Sequence, residues 1–110
     1  MDSKNIYISY QHYSNYIKWE MHGDSEWIYV GTDGELKKEK VIELINNFFT
    51  DSDLNFIPDR HNSSVIDKSM ALEKIVNAIE ESDPALASTD FRKIMEFGKI
   101  GIVRKGQRKE

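Results

Sequence analysis

Hydrophobic residues recur with helical spacing in two stretches of the chain. Around 36–50, Val41, Leu44, Ile45 and Phe48 follow the spacing i, i+3, i+4, i+7, and lysines and glutamates occupy positions between them. Around 67–81 a similar stripe is formed by Ala71, Ile75, Ala78 and Ile79. This spacing places the apolar residues of each stretch on one side of a helix. The pattern therefore predicts two amphipathic helices, at about 36–50 and about 67–81.

Before the first of these helices, apolar residues alternate with more polar ones, a pattern that is typical of strands. Ile6, Ile8 and Tyr10 alternate with more polar neighbours, which predicts a strand at about 5–10. Two further segments, 16–21 and 26–31, flank the turn-like residues 22–25. Strands on either side of a short turn usually pair with each other. We therefore predict an N-terminal antiparallel arrangement with a hairpin at about 16–31.

The C-terminal third contains shorter signals. Ser88, Thr89 and Asp90 could cap a helix at about 89–97, in which apolar residues again have helical spacing. A strand is predicted at about 99–104, followed by a basic tail at 106–110; whether 54–57 is a strand stays open. The order mixes adjacent strands with helices and lacks regular alternation, which favours the α+β class. We predict one globular domain over 1–110, with the strands packed against the two main helices.

Aromatic residues are distributed unevenly along the sequence. All five tyrosines and both tryptophans lie between residues 7 and 29, and all five phenylalanines follow later. Tyr and Trp tolerate half-wet positions and are enriched at interfaces, whereas Phe is usually interior. We predict a partner-binding surface on the hairpin, made of aromatic and acidic residues: Trp19, Glu20, Asp24, Glu26, Trp27, Tyr29 and Asp33. The alternative is that these aromatic residues merely cover the two helices.

Charge divides the 110-residue chain into an acidic body and a basic end. Residues 1–91 hold 8 Lys/Arg against 17 Asp/Glu, whereas residues 92–110 hold 7 against 2, and the formal net charge is -4. An acidic body repels phosphate backbones and attracts basic proteins. We therefore expect a basic protein partner, of which the nuclease domain of a toxin is one example. Bacterial immunity proteins offer an analogy of size and charge, and we expect a stoichiometric inhibitor of that kind rather than an enzyme.

Two other function classes stay open. The basic C-terminal segment 89–109 could contact phosphates, which would make the chain a nucleic-acid-binding regulator. His22 and Asp24 flank a turn glycine and could begin the metal site of a small enzyme domain, although the sequence supplies no convergent third ligand. The triplet 59–61 is another charged loop of this kind. We expect no catalytic residue, no cofactor and no bound metal.

The features that the sequence lacks predict the cellular compartment of the protein. The chain has no cysteine, no apolar leader and no apolar stretch of roughly 20 residues that could span a membrane. We therefore expect a cytoplasmic protein that does not act in a membrane.

Overall fold

Within residues 2–32 and 35–108, which the computed structural model describes, seven strands form one antiparallel sheet. These strands are β1 (Ile17–Trp19), β2 (Ile28–Tyr29), β5 (Asp53–Ile57), β6 (Ser64–Asp67), β7 (Ala85–Ser88), β8 (Lys93–Gly98) and β9 (Ile102–Arg108). Their order is β1-β9-β8-β7-β5-β6, and β2 also pairs with β9. Strands β3 (Gly31–Thr32) and β4 (Glu35–Leu36) form a separate two-stranded ribbon. The sequence left open whether 54–57 is a strand, and these residues form most of β5.

Helices cover both faces of the large sheet. Helix α1 (Ser3–Ser14) lies on one face, and the two helices α2 (Lys38–Phe48) and α3 (Ala71–Ala78) lie on the other. A 3₁₀ turn, Lys68–Met70, precedes α3. The core beneath α2 and α3 includes Phe49, Leu86 and Met95, and the smaller core beneath α1 includes Ile6 and Ile94. The described residues thus form a single unit of the α+β class, as predicted, and the two main helices are confirmed near their predicted positions.

The segment predicted as a strand at 5–10 is instead the middle of α1. The Asp2 carboxylate accepts a hydrogen bond from the backbone amide of Asn5 at 2.9 Å, which caps the helix. Ile6 is fully buried while Ile8 is 47% exposed, although both would lie on one face of a strand. The prediction of a strand here was wrong because isoleucine and tyrosine are also frequent in strands. In the structure the sheet covers only one side of α1, so Ile6 is buried and Ile8 is not.

The short helix predicted at 89–97 is a tight turn followed by β8. Asp90 accepts hydrogen bonds from the Ser88 hydroxyl at 2.7 Å and from the backbone amide of Arg92 at 3.1 Å. Phe91 adopts a φ of 58°, and its buried ring stacks on Tyr13 at 5.8 Å. Side chains that can cap a helix also close turns of this kind, so local sequence did not separate the two structures.

The hairpin predicted at 16–31 does not form, because β1 and β2 both pair with the same strand. Ile17–Trp19 lies opposite residues 106–108 of β9, and Ile28–Tyr29 lies opposite residues 102–103. These two strands are therefore pieces of one interrupted edge strand, and residues 20–27 form an excursion between them. A turn is present within the excursion, where His22 and Ser25 form an isolated bridge.

The C-terminal strand begins and ends later than predicted. Residues 99–101 form a turn, and β9 continues to Arg108, so part of the predicted tail belongs to the sheet. Lys109 and Glu110 lie outside the described residues. Gly106 allows β1 to approach β9 closely, since a Cβ atom there would clash with the carbonyl oxygen of Lys18. The residues up to Arg108 therefore belong to the sheet and do not form a free tail.

Candidate functional site

Arg104 organises the side of the sheet on which α1 lies. Its guanidinium carbon is 4.0 Å from the ring centre of Trp19 and 4.9 Å from that of Trp27. Its Nη1 donates to Glu26 Oε1 at 3.0 Å, and its Nε donates to Glu96 Oε1 at 2.8 Å. Because Glu26 and Trp27 belong to the excursion and Glu96 to β8, this one cation fixes the excursion against the sheet.

Tyr10 extends the network to α1. Its hydroxyl donates to Glu96 Oε2, so both oxygens of that carboxylate accept hydrogen bonds. Burial, and after it the charge of Glu96, raises the pKa of Tyr10 far above its ordinary value. The phenol therefore stays neutral and remains a hydrogen-bond donor. Four parts of the fold, namely α1, β8, β9 and the excursion, are joined in one partly buried polar network.

A cavity of about 390 Å³ opens beside this network. It is lined by Tyr10, Trp27, Asp83, Glu96, Phe97, Gly98, Lys99, Ile100 and Ile102. Tyr29 pairs with Ile102 across the strands, so both side chains point to the same side of the sheet. Tyr29 is 72% exposed and Ile100 is 57% exposed. We call the surface formed by Tyr10, Trp27, Tyr29, Ile100 and Ile102 the Trp27 face.

The structure brings four of the predicted partner-binding residues together and separates others. Trp19, Glu26, Trp27 and Tyr29 lie on the α1 side of the sheet, although Trp19 and Glu26 serve mainly to hold Arg104. Asp24 is exposed in the turn of the excursion. The remaining two acidic residues of the predicted set are Glu20 and Asp33.

Glu20 lies away from the Trp27 face. Its carboxylate pairs with the ammonium group of Lys105, which lies 5.1 Å from the ring centre of Phe48 at the end of α2. This contact places Glu20 toward the opposite side of the sheet. The last predicted residue, Asp33, falls outside the described residues, so the structure does not place it.

Segments that are distant in the sequence also contribute to this surface, and no sequence pattern predicted their contribution. Ile100 and Ile102 reach Trp27 because β9 pairs with both β2 and β8. Asp83 is held at the same cavity by the hydrogen bond that its carboxylate accepts from the Lys99 amide. One local signal was present: Ile100 is a large apolar residue in a short segment between Gly98 and Gly101, where polar turn residues are more common. The alternating pattern predicts a strand around Tyr10, and a strand there gives no indication of the contact with Glu96.

Five cations of the basic segment 89–109 contact groups within the chain: Arg92, Lys93, Arg104, Lys105 and Arg108. Lys93, for example, donates to a backbone carbonyl at the end of α2 at 2.9 Å. Arg108 lies 4.6 Å from the ring centre of Tyr13. These cations lie on both sides of the sheet, so they do not form one continuous basic strip.

The histidine-containing turns have local structural roles. His22 and Asp24 are exposed, and in the described part of the chain no group of three or more His, Asp or Glu side chains is placed to hold a metal ion. Asp59 accepts hydrogen bonds from the backbone amides of His61 and Asn62, both at 2.8 Å. The side chain of Asn62, followed by these amides, lowers the pKa of Asp59. The triplet 59–61 thus closes a turn.

Across residues 2–32 and 35–108, no helix combines the length and the apolar character needed to cross a membrane. Comparison with known proteins found no match among protein-family models, curated proteins or solved structures.

Proposed function

We propose that this chain is a small acidic protein that binds a basic protein partner through the Trp27 face and inhibits it stoichiometrically. Bacterial immunity proteins that neutralise nuclease toxins are the class to which we assign it. The observation that carries the proposal is the exposure of Tyr29 and Ile100 beside a cavity walled by Trp27. Adjacent exposed apolar and aromatic side chains at a cavity are typical of interaction sites.

Rigidity of the surroundings also supports a binding role. Trp27 is held by Arg104, and Tyr29 and Ile102 are paired across β2 and β9. A surface that is already ordered loses less conformational entropy when it binds, so more of the contact energy appears as affinity. The network thus favours a preorganised docking site.

Electrostatics favours a basic partner. Within the basic end of the chain, Arg104 is neutralised by Glu26 and Glu96, and Lys105 is paired with Glu20. Exposed carboxylates such as Asp24 and Asp83 are not engaged in ion pairs within the described residues. Long-range attraction by an acidic surface accelerates association with cationic proteins.

The main test is protection of cells from the product of the gene adjacent to the one that encodes this chain. We expect co-expression to restore growth and the two purified proteins to form a 1:1 complex. The double variant Tyr29→Ala, Ile100→Ser should weaken binding by about 2–4 kcal/mol, the range of interface hot spots. Both side chains are well exposed, so the fold should be retained.

A matched control removes two exposed side chains elsewhere, Tyr16→Ala and Val65→Ser. These residues are 54% and 50% exposed and do not belong to the Trp27 face. The control should bind and protect like the wild type. Equal loss in both double variants, or no loss in the Tyr29 and Ile100 variant, would remove the support for this surface; absence of any complex would contradict the proposed function.

Salt dependence provides a second arm of the test. Charge reversal at Asp24 and Asp83 should slow association and flatten its dependence on ionic strength, because both carboxylates are exposed. Glu20 and Glu26 are unsuitable for this purpose, since each pairs with a cation of β9 and reversal would disturb the fold. An unchanged association rate and slope would show that the partner approaches another surface.

The alternative of a nucleic-acid-binding regulator is tested by a gel-shift titration. Because most cations of segment 89–109 have internal partners, we expect no affinity tighter than about 10 μM at physiological salt, which is within the non-specific range. Sub-micromolar binding that is lost when Lys99 and Arg108 are changed to alanine would favour the alternative instead.

A further inference from the structure

We infer that the cavity beside Trp27 receives an arginine side chain of the protein partner, an inference that rests on the proposed function. The cavity combines an indole wall, two aliphatic side chains and the carboxylates of Asp83 and Glu96. Its volume of about 390 Å³ lies in the lower part of the range of roughly 300–1,000 Å³ that is typical of ligand sites. It is therefore large enough for a long side chain of a partner.

The local chemistry already holds one guanidinium group. Arg104 lies against the rings of Trp19 and Trp27 and donates hydrogen bonds to Glu26 and Glu96. Trp27 and Glu96 belong both to this intramolecular site and to the lining of the adjacent cavity. A second guanidinium in the cavity would meet the same kinds of groups, namely an aromatic ring and carboxylates.

Hydrogen-bond capacity remains on the groups that line the cavity. Tyr10 donates its proton to Glu96, so its oxygen lone pairs can still accept. Asp83 Oδ1 accepts from the backbone amide of Lys99 at 3.2 Å, which leaves Oδ2 available. A guanidinium group supplies several donors in a planar fork and fits such dispersed acceptors better than an ammonium group does.

Charge also favours a cationic occupant. The carboxylates around the cavity and its network are Glu26, Glu96 and Asp83, whereas the cations are Arg104 and Lys99. One negative charge therefore remains. Ile100 and Ile102 would cover the aliphatic stem of the incoming side chain, since long cationic side chains bury their methylene groups along apolar surfaces.

The test uses the unmodified 110-residue chain and Nα-acetyl-arginine amide as the probe. We expect saturable shifts of the Trp27 indole and the Lys99 and Ile100 amides in two-dimensional NMR spectra. The dissociation constant should be on the order of millimolar, as expected for so few contacting atoms. The neutral citrulline derivative has nearly the same shape and should bind about threefold to tenfold more weakly, because it lacks the cation.

Two variants distinguish the effect of one carboxylate at the cavity from the effect of the net charge of the protein. Asp83→Asn should weaken arginine binding about twofold to fivefold, whereas Asp53→Asn, which removes the same charge from the far end of β5, should leave it unchanged. The inference is overturned if citrulline or norleucine derivatives bind as tightly as arginine does, or if no saturable shift occurs at Trp27. Equal effects of the two variants would also overturn it.

Failure of this inference can be told apart from failure of the proposed function. If arginine does not bind while the Tyr29 and Ile100 variant loses the partner, the docking surface stands and the arginine site is refuted. If arginine binds but no 1:1 complex forms with the adjacent gene product, the cation site stands and the proposed inhibitor function falls.

Discussion

Replacing Arg104 by methionine should destabilise the protein substantially, because Arg104 joins the excursion to the sheet. The substitution keeps an unbranched side chain but removes the charge that lies between two tryptophans and two glutamates. It leaves the Glu96 carboxylate without its cation in a position where only 15% of that side chain is exposed. The cost therefore combines a lost attraction with an uncompensated, partly desolvated charge.

The expected magnitude follows from these exposures. Removal of one partner from a fully buried ion pair costs about 3–5 kcal/mol, but Arg104 is 24% exposed and water screens part of the interaction. The more exposed contact with Glu26 adds at most about 1 kcal/mol. We therefore expect a loss of about 2–4 kcal/mol in the free energy of unfolding, which is a fall of roughly 8–15 °C in Tm for a chain of this size.

Denaturant unfolding, followed by tryptophan fluorescence, measures this loss. The matched control is Arg108→Met, which removes a cation lying over the ring of Tyr13 and should cost less than about 1 kcal/mol. A double-mutant cycle with Glu96→Gln should give a coupling energy of about 1–3 kcal/mol. A loss below about 1 kcal/mol at Arg104, or equal losses at the two arginines, would refute the view that this network fixes the excursion.

Three further predictions concern the core, the edge of the sheet and pH. Ile45→Ala and Ile79→Ala should each lower the denaturant stability by about 2–5 kcal/mol because both side chains are buried under the sheet, whereas His61→Ala should be nearly neutral; small losses at both isoleucines would contradict this. Gly106→Ala should cost at least about 2 kcal/mol, since its Cβ atom would meet a carbonyl oxygen of β1, and a variant with wild-type Tm would contradict the close approach. Burial, and after it a nearby carboxylate, raises the pKa of Tyr10 in the folded protein. The neutral Tyr10 side chain therefore contributes its full stabilisation below the ordinary pKa of 10.0, and this contribution is lost as pH rises through the folded-state pKa. Stability should thus fall more steeply at alkaline pH in the wild type than in Tyr10→Phe, and tyrosinate absorbance should show one fewer late-ionising tyrosine in the variant.

The helical spacing of apolar residues correctly predicted those elements that bury a continuous apolar stripe, namely α2 and α3. Val41, Ile45 and Ile75 lie where their spacing indicated, under the sheet, because helices α2 and α3 each have one strongly apolar side. Helix α1 has a weaker pattern and contains residues that also suit strands. Its stripe of Ile6, Tyr10 and Tyr13 was visible at i, i+4 and i+7, but the choice between helix and strand depended on the sheet that it covers.

The candidate site was predictable only in part, for a topological reason. Trp27 and Tyr29 could be selected from the sequence because amphipathic aromatic residues favour interfaces. Their neighbours Ile100 and Ile102 lie more than 70 positions away along the chain and reach them only through the pairing of β2 with β9. The role of Arg104 was hidden for the same reason, since its contacts come from β1, β8 and the excursion.

The interruption between β1 and β2 also bears on self-association. A long, regular outer strand exposes a row of unpaired amides and carbonyls on which a second molecule could align, and such alignment leads to fibrous aggregates. Here that outer strand is divided into pieces of three and two residues by the excursion at 20–27. Restoring a continuous strand by shortening the excursion would therefore be expected to make the protein prone to intermolecular pairing, even if the shortened chain remained stable.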